Sequence, residues 1–119
     1  MDKTISISGR PVIFRKTGGT MLRYKRQFGR ELLSDLGKIM KLKEKADKAK
    51  TENDKVELAT SVEVEWMYDI AFIMAQQADQ NVRDELEWLD SFESFPIWDV
   101  FTDLMPMLAA EMKAAPKNA

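Results

Sequence analysis

Residues 17–33, TGGTMLRYKRQFGRELL, carry the side chains and spacing with the clearest chemical potential. Gly18 and Gly19 precede Thr20, and Arg23, Lys25, Arg26 and Arg30 follow within one short span. Free backbone N–H groups at a glycine turn, backed by cations, can cradle a phosphate. A Walker-type loop needs G-x-x-x-x-G-K-[ST], and this stretch lacks both that spacing and its lysine. The same residues also make an ordinary strand-to-helix turn. The glycines let the chain swing from extended to helical, and Thr20 caps the first exposed N–H groups. The structural turn is the expected outcome.

Two carboxylate pairs are the other candidates. Asp99 and Asp103 fall at i and i+4 on one helical face and can hold a hard cation or meet a neighbouring subunit. Glu63 and Glu65 lie close in sequence without further oxygen ligands beside them. The chain has no histidine and no cysteine. That removes the usual general base near neutral pH, the thiolate nucleophile, the disulfide frame and the zinc–thiolate site. The expectation is a protein that is not an enzyme and has no cofactor or metal.

Charge separates along the chain. Residues 1–55 carry 15 Lys and Arg against 7 Asp and Glu, and residues 56–119 carry 3 against 13. A protein built only to hold nucleic acid seldom has so acidic a second half. Halves of opposite sign suit complementarity, within one fold or head to tail between copies. Arg23, Arg26 and Arg30, at i, i+3 and i+7, are the candidate basic face for self-association, with Asp99 and Asp103 opposing it. The apolar cluster ESFPIWDVF supplies candidate protein-binding residues Phe95, Ile97, Trp98 and Phe101, joined by Met105 as an adaptable contact.

These groups need elements to position them. KTISISGRPVIFRKT alternates as a hairpin, with Ile5 and Ile7 on one face, Gly9 and Arg10 in the turn, and Val12 and Phe14 on the return. Tyr24, Phe28, Leu32, Leu36 and Met40 recur at helical spacing, with Gly29 as a bend or break. Residues 41–55 hold one large apolar side chain, Leu42, and read as a solvated helical extension or a connector. Ala59, Val62, Trp66, Ile70, Ile73 and Met74 mark a central core helix. Asp84 caps a short helix carrying Leu86, Leu89 and Phe92. Ser94 and Pro96 open the last helix, which Pro106 kinks or ends early. The chain therefore reads as one domain over 1–119, an α+β, predominantly helical fold. An N-terminal hairpin (1–16) precedes about four or five helices, and 114–119 is a frayed tail.

No run approaches the roughly 18 apolar residues of a membrane span, and MDKTISISGR has no apolar signal core. The expected setting is the cytoplasm, without membrane contact.

In order and spacing, LRYKRQFGRELLSDL (22–36), YDIAFIMAQQAD (68–79) and EWLDSFESFPIWDVF (87–101) resemble the tail assembly chaperones of long-tailed bacteriophages and prophages of Gram-positive hosts. The resemblance spans nearly the whole chain. It implies a small helical protein that self-associates into spirals, coats the tape measure protein and recruits major tail tube subunits. Such a protein acts in the host bacterial cytoplasm and is absent from the mature virion. Many are also made in a longer form by translational frameshifting, and Pro116, Lys117 and Asn118 are compatible with a slippery heptamer. The alternatives are a small nucleic-acid-binding regulator using the basic helix, and a head–tail connector that stays in the particle.

Overall fold

The hairpin closes one residue earlier than the pattern suggests. Ser8 (φ 51°) and Gly9 (φ 76°) are the two left-handed residues of the turn, as a primed two-residue hairpin loop requires. Arg10 instead pairs with Ile7 and begins the return strand. The computed structural model of the chain describes residues 1–60 and 64–113, without the side chains of 43, 46, 58–60 and 111–113. Val62, Glu63 and the 114–119 tail thus lie outside the described residues, as does the side chain of Ala59.

The elements run β1 (Asp2–Ile7), β2 (Arg10–Arg15), α1 (Thr20–Phe28), α2 (Leu32–Lys48), α3 (Glu52–Thr60), α4 (Glu65–Ala78), α5 (Glu85–Asp90) and α6 (Ile97–Lys113). This is the expected α+β, mostly helical fold. It has one helix more than the apolar pattern marks, because the charged stretch folds too. Helix α2 runs on through its lysines, and the Thr51 hydroxyl accepts from the Asp54 N–H at 3.1 Å to start α3.

Ile5, Ile7, Val12 and Phe14 turn inward from the hairpin, where β2 packs over α4 and β1 meets α6. That helix is the centre of the molecule: Met67 and every residue from Asp69 to Ala75 are buried. Helix α1 packs on it near α2, and α6 on it near α2 and β1. Burial on so much of its circumference explains why its hydrophobic pattern is broad rather than a stripe. Pro106 does not end α6, which continues to Lys113.

One aromatic cluster joins the hairpin, α4 and the last third of the chain. Trp88 meets Phe14, Phe72, Phe92 and Phe95 at centroid separations of 6.3, 6.1, 5.4 and 5.3 Å. The turn is fastened to the same region. The Ser8 hydroxyl donates to the Ser94 carbonyl (2.6 Å) and accepts from its N–H (3.0 Å). The Ser94 backbone is thus tied to the hairpin turn, and the Val100 N–H reaches the Pro96 carbonyl (3.0 Å) to open α6. Arg10 lies 3.8 Å over the Phe92 ring and donates to the Ser91 hydroxyl (3.0 Å).

Candidate functional site

The glycine turn is structural, though not through the expected cap. Gly19 occupies the cap position of α1, and no side chain bonds the helix start there. Thr20 is buried, accepts from the Thr17 N–H (2.9 Å) and donates to Gln77 Oε1 (2.7 Å). Gln77 Nε2 in turn donates to Thr17 Oγ1 (2.8 Å). The hydroxyls that would meet a phosphate are spent tying this turn to the end of α4.

Arg30 also leaves its expected place. Gly29 takes a left-handed conformation (φ 73°) and ends α1, so Arg30 no longer shares a helix face with Arg23 and Arg26. Its guanidinium turns inward at the α1–α2 corner and donates to the Tyr24 hydroxyl (3.0 Å) and to the Asp69 carboxylate on α4. Tyr24 passes its own proton toward Asp35 Oδ2 (2.7 Å). Asp35 and Asp69 are buried, and no buried side-chain polar atom among the described residues lacks a partner. Burial, reinforced by the bond to Asp35, holds the Tyr24 phenol protonated well above its ordinary range. Burial works against the Arg30 charge, but its bonds to Asp69 and Tyr24 outweigh it and raise the group further. The knot is a structural joint between α1, α2 and α4.

Glu85, in the first turn of α5, abuts that joint. Burial first, then its hydrogen bond with Asp69 and the nearby charges of Asp69 and Glu65, push its carboxyl up to about 8. The sign follows from the two states. Between the ordinary value near 4.5 and about 8, the unfolded chain has lost this proton while the folded chain keeps it. Its contribution is therefore complete below pH 4.5, declines as pH rises, and is gone above about 8. Glu85→Gln should match the parent at pH 5. At pH 9 it should be more stable by about 1–2 kcal/mol, after discounting for a carboxyl half in water. Urea midpoints at the two pH values decide this; equal differences at both refute the assignment.

The surface offers two clefts. One, of about 690 Å³, runs between β2, the end of α4 and α5. Ala75, Ala78, Val82 and Trp88 give it an apolar floor, and Arg83 and Glu87 stand on its rim. The other, of about 530 Å³, lies between α1 and α4. It is lined by Leu22, Arg23, Arg26, Gln27, Ile73 and Gln76. Neither cleft was marked by the sequence, because each is assembled from elements far apart in the chain. Nor was the cationic row Lys38, Lys41, Lys45 and Lys48, all exposed along the outer face of α2.

The expected binding cluster on α6 divides. Ile97 and Phe101 turn into the core, Phe101 meeting Trp66 edge-on at 6.1 Å. They are core residues rather than a binding surface, because the helix start places them against α4. Phe95 and Met105 are half-buried against the same core. Trp98 alone among the five is exposed, at 42%, beside the exposed Asp99. Asp103 also faces outward. Among the described residues, no group of three or more acidic side chains is arranged to hold a metal ion. No helix is long and apolar enough to cross a membrane, among the same residues. No protein-family model, curated protein or solved structure matches this chain.

Proposed function

We propose that this chain is a tail assembly chaperone of a long-tailed bacteriophage or prophage. In this reading it acts in the host cytoplasm and is left out of the finished virion. It covers apolar helical stretches of the tape measure protein until tail tube subunits enclose them. The resemblance of the three segments motivates the reading. The structural observation that supports it best is the apolar-floored cleft beside β2, with Ile13 exposed at its edge. Many weak sites of this kind, joined in one assembly, cover a long companion through effective concentration while each copy stays displaceable. In this reading self-association is electrostatic. Asp99 and Asp103 on α6 meet the lysine row of α2 on a neighbouring copy.

Co-expression with the tape measure protein tests the proposal. The companion is expected to become soluble and to co-purify. Val82→Glu, which puts a charge on the cleft floor, should abolish co-purification without changing the helical circular dichroism signal. Unchanged companion solubility with no co-purification overturns the reading. The lysine row of α2 favours a second reading, a nucleic-acid regulator. A DNA mobility shift that weakens steeply with salt, without companion binding, would establish that one instead.

A further inference from the structure

We propose that the cleft between α1 and α4 receives an acidic amphipathic helix of a partner protein. Its walls carry one sign of charge. Arg23 and Arg26 stand exposed one turn apart, and no acidic side chain lines the cleft. Neither guanidinium has a carboxylate partner among the described residues, whereas Lys25 beside them pairs with Glu31 at 2.8 Å. The α2 lysines lie on a different helix, so the two sites are separable by mutation.

The centre of the cleft is apolar. Leu22 is 53% exposed although it sits on the same helix as the two arginines, and Ile73 is buried at the floor. Gln27 and Gln76 line it as neutral amides, able to donate to carboxylates or to accept from an N–H. An apolar centre flanked by unpaired cations fits a ligand of the reverse pattern. Such a ligand is a helix with leucine or methionine on one face and carboxylates three or four residues apart beside it. Guanidinium–carboxylate pairs at the edge of an apolar contact are the strong form of charge-assisted hydrogen bond. Single-stranded nucleic acid fits less well, because no aromatic ring lines the cleft for a base to stack on.

The inference rests on the chaperone reading only in naming the kind of partner, and it is tested without the companion. A fluorescently labelled, 18-residue helical peptide with a leucine face and flanking glutamates is titrated into the intact chain and followed by anisotropy. Saturable binding is expected, weaker by at least about tenfold for Arg23→Gln/Arg26→Gln. Arg23→Glu/Arg26→Glu should lose the peptide and take up its Glu→Lys counterpart. Leu22→Ala should weaken binding about three- to tenfold.

Equal affinity for parent and arginine variants overturns the proposal. So does preferential binding of an oligonucleotide through the same arginines. So does self-association that disappears in the arginine variants while the peptide stays unbound, since the cleft would then serve a second copy. Peptide binding with failed companion co-expression leaves this site standing and removes the chaperone reading. The converse removes this site alone.

Discussion

Trp88→Ala is expected to cost about 3–5 kcal/mol, the largest effect of any single truncation in this fold. The ring is buried at the meeting point of Phe14, Phe72, Phe92 and Phe95, so its removal leaves a void that four other rings border. None of these rings can collapse into the space without leaving its own contacts, which keeps the cavity open. For a domain this size the loss amounts to a fall in melting temperature of roughly 12–20 °C. Trp88→Phe should recover more than half of it, because a smaller ring still fills most of the space. Urea unfolding followed by circular dichroism measures both variants. A loss below about 1 kcal/mol for the alanine variant would mean that α5 does not pack as described.

Arg30→Ala should cost about 2–4 kcal/mol. The side chain is part-exposed, which tempers the figure, but the carboxylates it serves are not. Removing it takes the guanidinium from two buried carboxylates, leaving Asp35 with the Tyr24 hydroxyl and the exposed Lys38 ammonium (3.6 Å), and Asp69 with Glu85. Arg30→Lys should recover only part of the loss, since an ammonium cannot span the hydroxyl of Tyr24 and the carboxylate of Asp69 as a planar fork does. A double-mutant cycle with Asp69→Asn should return a coupling of about 1–3 kcal/mol. Strict additivity would show that the two residues act independently, against the geometry.

Local rules carried much of the fold. Alternation placed Ile5, Ile7, Val12 and Phe14 on the buried face, and Asp84 caps α5 through the Glu87 N–H. The apolar period identified α4 as the central helix. The failures share a physical origin in single backbone conformations and in long-range assembly. The left-handed turn at Gly29 redirects Arg30 from a basic face into a buried joint, and spacing along a continuous helix cannot register that. Charge made residues 41–55 unfit for a core but did not forbid helix, because lysine and glutamate favour helix in solvent. Ile97 and Phe101 looked exposed because they sit in a short apolar run, yet α6 docks that run against Trp66. The two clefts depend on how β2, α1, α4 and α5 come together, and no local window contains that information.

The bond between Ser8 and Ser94 also sets an order of events during synthesis. The strand pair emerges before any segment that covers its apolar face: α4 first, then the Trp88 and Ser94 region. At about 5–20 residues per second, the 86 positions between the two serines correspond to a wait of roughly 4–17 s. The turn therefore stays unfastened over that interval, while α4, translated earlier, is already there to cover β2.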